Sequence, residues 1–153
     1  MSGFAEISDE AWDHAVAINL TSVFFCCRSF LLTMPTGGRV VIVSSAAGRT
    51  PTSITTAYYA AAKAGLLGMA RHLAREVADR GITVNCVAPG TTLSERIATI
   101  YSPERIAAVS AQTPLGRLAE VDDQVGPILF LASAAASYIT GATLDVNGGK
   151  VMM

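Results

Sequence analysis

The sequence predicts an α/β fold, a doubly wound parallel sheet with helices on both faces. Three observations carry this. Two runs, RVVIVSS from Arg39 and ITVNCVA from Ile82, are continuously apolar and rich in β-branched residues, the composition of strands buried on both faces. A long helical segment precedes each run, so helices and strands alternate. Glycines punctuate the junctions, and crossovers between such parallel strands are right-handed in nearly all cases.

The first element opens at Ser8, an N-cap whose followers Asp9 and Glu10 favour the positive end of a helix. That helix is expected to run to Met34 and stop at Pro35, with Gly37 and Gly38 turning the chain into the first strand. The loop AAGRTPTSITTA leads to a second long helix, Tyr58 to Asp79, and Gly81 is placed to end it. The strand ITVNCVA follows and closes at Pro89 and Gly90. A helical patch is expected over Ser94 to Ser110, and QTPLGRLAEVDD then breaks into turn. A further helix covers Val121 to Ser133, and TLDVNGG makes a last short strand ending in an Asn-Gly turn.

Size and charge narrow the function classes. A chain of 153 residues suits one domain with its own core. Eleven basic and twelve acidic residues leave a formal charge of −1 without long runs, so neither a nucleic-acid nor a membrane partner is expected. Cys26, Cys27 and Cys86 are odd in number and two are adjacent, which argues for reduced, buried thiols in a cytoplasmic protein. MSGFAEISDE lacks the basic start and apolar run of a signal peptide. The apolar stretch VFFCCRSFLLTM is interrupted by Arg28 and is too short for a bilayer of about 30 Å. With 51% hydrophobic residues, the chain is expected to bury surface in oligomer contacts.

The chemistry is expected where ligands sit in open parallel sheets, beyond the carboxyl ends of the strands. Ser44 and Ser45 end the first strand there, and YYAAAKAG begins nearby. Tyr59 and Lys63 stand four residues apart, hence on one helical face, with only alanines between them. A phenol titrates near pH 10 and is a poor acid or base at neutrality, but a cation within about 4–6 Å favours its phenolate. The pair could move a proton near pH 7, with a serine hydroxyl holding a substrate oxygen beside it. The same spacing also arises on ordinary packed helices, and Tyr58, whose i+4 residue is Ala62, has no such partner. His14 and His72 lack ligand-spaced neighbours, and no metal site is expected. Arg71, Arg75 and Arg80 read as a solvated face, with docking of a carrier protein as the alternative. Asp122 and Asp123 read as helix-start carboxylates rather than a catalytic pair.

AINLTSVF around Asn19, VVIVSSAAG around Ser45, YYAAAKAG, GITVNCVAPG with TTLS, PLGRLAE, and FLASAAASYITGATLDVNGG resemble, in order and spacing, the short-chain dehydrogenase/reductase family. Within it the sequence is most similar to the 3-oxoacyl-acyl-carrier-protein reductase group, and the resemblance runs from Ile7 to Gly149. It implies a Rossmann-type three-layer sheet and an NAD- or NADP-dependent enzyme reducing a carbonyl or oxidising a secondary alcohol. It assigns general acid/base catalysis to Tyr59 and support of the phenol and of the nicotinamide ribose to Lys63. Ser45, rather than Ser44, would polarise the carbonyl, and Asn19 would hold a water relaying protons to the lysine. Pro89, Gly90, Thr92 and Ser94, the last a threonine in many members, would contact the nicotinamide end of the cofactor. The two long helices carry wide apolar faces, such as Val23, Phe24 and Leu31, and Leu66, Leu67 and Met69; part of each would cover the sheet, and the rest would form the contact of a homodimer or homotetramer.

One family feature has no counterpart here: a glycine-rich turn between a first strand and its helix, which cradles the dinucleotide phosphates. Gly37-Gly38, Gly65 with Gly68, and Gly148-Gly149 do not supply it. Residues 1–153 therefore read as a single partial domain, the C-terminal portion of the family fold with N-terminal strands missing. The first strand would then offer an open apolar edge, and the chain alone is expected to be a poor oxidoreductase. Two function classes follow from this reading: a nicotinamide-dependent oxidoreductase, or a catalytically silent remnant that acts in oligomerisation or as a structural fragment.

Overall fold

A computed structural model describes residues 3–52 and 55–152. Its sheet has three parallel strands in the order β1 (Arg39–Val43), β2 (Thr83–Pro89), β3 (Thr143–Val146). Arg39 pairs with Thr83, and Cys86 pairs with Thr143. The helices are α1 (Asp9–Val16), α2 (Ser22–Leu31), α3 (Ala57–Glu76), α4 (Glu95–Ile100), α5 (Pro103–Ala111) and α6 (Val121–Ala132).

Alternation along β2 divides the core. Val84 and Cys86, with Ile42 of β1, pack against Leu66, Leu67, Ala70 and Ala74 of α3, and Leu20, Val23 and Leu31 lie against that cluster. Val87 meets Leu131 of α6 and Ala136 on the opposite face. Three layers, α/β/α, are the result, as the alternating pattern predicted. β2 is buried over Thr83–Ala88, which explains its largely apolar sequence. Asn85 within it is fully buried and satisfied: it donates to Ile139 O at 2.8 Å and accepts from Ala142 N at 3.0 Å, fixing the approach to β3. Burial pushes the Cys86 thiol up to about 11, so it packs as a neutral apolar group.

β1 has both faces covered, Val40 and Ile42 against the α3 side and Val41 against the α6 side, but it carries the open edge also expected of it. Among the described residues it pairs only with β2, and Val43 remains 48% exposed. Gly38 O accepts from Thr83 N, and Ser44 N donates to Val87 O. Even-numbered backbone groups of β1 thus turn to β2, while those of Arg39, Val41 and Val43 turn outward.

The first helix also departs from expectation. α1 and α2 are continuous from Asp9 to Leu31 through a π turn at Ala17–Thr21, and helix ends at Leu31 rather than Met34. Ser8 caps it as predicted, accepting from Ala11 N at 3.2 Å. At 23 residues it is long and apolar enough to cross a membrane by length and composition alone, unlike the short stretch singled out from sequence. Here it lies on α3, where a Cβ on Gly65 would come within 2.9 Å of Leu20 Cδ2. Arg80 is not part of a solvated face: its guanidinium donates to Leu31 O at 3.1 Å and to Met34 O, satisfying carbonyls at the helix end. Cys26 is exposed rather than buried. The expected helix over Ser94 to Ser110 is two helices, broken at Tyr101 and restarted by Ser102, whose hydroxyl accepts from Arg105 N, with Pro103 in the first turn.

Candidate active site

Beyond the carboxyl ends of β1 and β2 opens a cleft of 660 Å³. Ser45, Tyr59, Pro89, Gly90, Thr92 and Ser94 all line it, so six residues singled out from sequence share one wall system. Each is placed by local chemistry. Ser45 caps the turn Ala46–Gly48, its Oγ accepting from Ala47 N at 3.1 Å. That acceptance leaves the hydroxyl hydrogen free to donate into the cleft. Ser44, next in line, is buried and spends its hydroxyl on Lys63 O at 2.8 Å. Gly48 allows the turn to press on α3: a Cβ there would fall 2.7 Å from Ala64 N.

Thr56 precedes α3, and Tyr59 stands in its first turn, half-buried. One turn later Lys63 carries its ammonium 5.7 Å from the centre of the Tyr59 ring. Lys63 Nζ also donates to Val43 O at 3.2 Å, one of the outward carbonyls of β1. Burial lowers the Lys63 pKa from its ordinary value. Asn19 does not line this cleft; it lies in the π turn and donates its amide to Ala15 O at 3.0 Å.

The stretch after β2 is held from behind. Gly90 N donates to Val146 O, and a Cβ on Gly90 would come within 2.9 Å of Asn147 Cα, so only glycine permits this approach. Gln124, buried on α6, donates to Thr92 Oγ1 at 3.4 Å and Val146 O at 3.3 Å. A bridge joins Thr92 to Ala119, with Leu93 N donating to Ala119 O and Ala119 N to Thr91 O. Among the described residues, the N–H groups of Thr91 and Thr92 make no hydrogen bond inside the protein, and both residues line the cleft. Such donors fit the carboxamide of a nicotinamide.

Several features escaped the sequence reading. Arg49 pairs with Asp145 at 3.1 Å with both side chains mostly buried, tying the Ser45 turn to β3. Nothing in the spacing of two residues so far apart announces that pair. The far wall of the cleft, with Arg96, Ile97, Ile100, Tyr101 and Arg105, falls within Thr91 to Thr113, the segment where the sequence reading puts substrate choice, whereas Lys150 joins it from outside and was missed. The signal for that segment was the length of chain between Gly90 and Thr113, too long for a simple connection. Asp123 behaves as expected of a helix-start carboxylate: it accepts from Glu120 N at 2.7 Å, and the Arg117 hydrogen bonds hold its pKa down at about 2. His72 is exposed and pairs with Glu76 at 2.9 Å on the same helix.

Comparison with known proteins agrees with this architecture. The family model described as enoyl-(acyl carrier protein) reductase matches residues 1–150. The 3-oxoacyl-[acyl-carrier-protein] reductase FabG of Salmonella typhimurium is 43% identical over 149 residues, covering 96% of this chain and 60% of that protein. A solved 3-oxoacyl-[acyl-carrier protein] reductase from Brucella melitensis with bound NAD matches with a TM-score of 0.89 at 34% identity, over 97% of this chain and 55% of that one. The angucycline C-6 ketoreductase LanV with bound NADP matches with a TM-score of 0.89 at 35% identity, over 98% of this chain and 58% of that one. The chain thus spans 60% of the length of the curated relatives it matches. It belongs to the short-chain dehydrogenase/reductase family, and its three-layer sheet is the C-terminal part of that family's Rossmann-type fold.

Proposed function

We propose that the chain serves a nicotinamide-dependent oxidoreductase acting on a carbonyl or secondary alcohol, with a 3-oxoacyl thioester as the carbonyl substrate. The observation that carries the reading is the sharing of one cleft by Ser45, Tyr59 and the Pro89–Ser94 stretch, with the Lys63 ammonium beside the Tyr59 ring. The similarity to 3-oxoacyl-[acyl-carrier-protein] reductases supports the substrate class, and relatives solved with NAD and with NADP support a nicotinamide cofactor of either kind.

Thr91, Thr92 and Ser94 would hold the nicotinamide, which when bound would supply the hydride. The protein's own part is to orient and to move one proton. The Ser45 hydroxyl, already fixed by Ala47 N, donates to the substrate oxygen. The Tyr59 hydroxyl gives that oxygen its proton in reduction and takes it back in oxidation. Lys63 has two donors left after Val43 O, one of them for the cofactor ribose, and its positive charge, 5.7 Å from the ring centre, favours negative charge on the phenol. Asn19, in the π turn and outside the cleft lining, spends its amide nitrogen on Ala15 O, and its amide oxygen would hold a relay water.

The test is turnover of a 3-oxoacyl thioester at saturating NADH or NADPH, followed by loss of nicotinamide absorbance. Tyr59→Phe is expected to lower the rate by about 10²–10⁴-fold without changing the circular dichroism spectrum. Unchanged turnover in that variant would remove Tyr59 from its role. A second reading, a structural element that joins related subunits, draws on the open edge of β1 and on the exposed Phe24, Phe25 and Phe30 of α2. Absence of turnover together with a concentration-dependent assembly would favour it.

A further inference from the structure

The far wall of the cleft has a charge pattern that the proton-transfer reading does not use. Arg96 of α4, Arg105 of α5 and Lys150, just after the turn at Gly148 and Gly149, all line the cleft, and among the described residues no Asp or Glu does. The chain as a whole carries eleven basic and twelve acidic residues, so this one-sided lining departs from its background. Glu95 and Glu104 adjoin Arg96 and Arg105 in sequence but do not line the cleft. Elsewhere cations find carboxylates: Arg49 pairs with Asp145, and Arg117 with Asp123. Among the described residues, Arg96, Arg105 and Lys150 form no ion pair. Arg105 lies over the Tyr101 ring at 4.4 Å, which restricts its guanidinium without consuming its donors. Ile97, Ile100 and Pro89 line the same cleft, so the site combines apolar lining with three unspent cations. Cations on low-dielectric walls concentrate an anion in a cleft.

We propose that this cleft selects a carbonyl substrate bearing a negative group, phosphate or carboxylate, away from its carbonyl, with Arg96, Arg105 and Lys150 as specificity-determining residues. The proposal deepens the reading above and rests on it for the carbonyl end. The same anion chemistry could come from a phosphate of the dinucleotide, and the experiment separates the two sources.

The measurement is calorimetric titration of the 153-residue chain with acetoacetyl-pantetheine and acetoacetyl-4′-phosphopantetheine, probes that differ by a single phosphate, and in parallel with NADH and NADPH. The wild type is expected to bind the phosphorylated thioester about tenfold more tightly at low ionic strength, a preference that shrinks as salt screens the charges. R96Q/R105Q/K150Q, checked for folding by circular dichroism, loses the preference, whereas R96K/R105K keeps it. The exposed single variant R96Q loses about two- to threefold. Equal affinities in the wild type, a preference untouched by the triple substitution, or no binding of either thioester at millimolar concentration would overturn the proposal. A triple variant that weakens NADPH against NADH, with the thioester pair unaffected, would assign the cations to the cofactor and overturn it as well. Binding requires no proton transfer, so failure here and failure of the Tyr59 turnover test are separate results.

Discussion

Ser44 and Ser45 stand side by side at the tip of β1, yet one is sealed against α3 and the other faces the cleft. The divide depends on the turn that follows. Gly48→Ala would press a methyl 2.7 Å from Ala64 N, where neither backbone can yield cheaply. Its expected cost is about 1–3 kcal/mol in urea denaturation, with turnover falling because Ser45 shifts. Lys63 offers an opposite trade. Its pKa is lowered by burial, so the unfolded chain binds its proton more tightly. The resulting penalty is full below the folded pKa and is relieved as pH rises toward 10.5. Lys63→Met is therefore expected to be at least as stable as the wild type at pH 7, with an advantage that shrinks toward pH 10.5, while turnover is lost. Denaturation curves at several pH values check the sign. The Tyr59–Lys63 pair was legible because helical spacing is local. Arg80 was not, because its partners are carbonyls of a helix end 46 and 49 residues away.

At the level of elements, helices and strands were more legible than their interruptions. The break between α4 and α5 was written in Ser102-Pro103-Glu104, a cap followed by a helix-starting proline, but helical periodicity on both sides masked it. The π turn inside the first helix had no local sign at all; it carries Leu20, which lies close over Gly65 of α3. The edge character of β1 was foreseen only through the family resemblance, since RVVIV reads as interior by composition. At the start of α6, Asp123 is tied to both Arg117 and Glu120 N. A carboxylate pKa lowered from 3.8 to about 2 contributes stability above pH 3.8, and that contribution is lost as pH falls through 2. Asp123→Asn should thus unfold at lower denaturant than the wild type at pH 7, and the gap should close between those two pH values. A gap independent of pH would mean that the loss of the cap, not the charge, decides.

For the whole molecule, the unresolved energy lies on its surface. Phe24, Phe25 and Phe30 are 43%, 48% and 66% exposed, and a groove between α2 and α3 is walled by Phe24, Leu31, Met69 and Leu73. Apolar area of this kind is expected to drive association of copies through the helices, and sedimentation velocity should find a species larger than the monomer. Phe30→Asp should shift that distribution toward the monomer, and a wild-type monomer at high concentration would count against the interface. The open edge of β1 leads to a separate consequence. Because its backbone faces alternate, deuterium should enter the amides of Arg39, Val41 and Val43 quickly and those of Val40, Ile42 and Ser44 slowly. Exchange along this strand would read as a comb, and any strand that docks there would fill in its missing teeth.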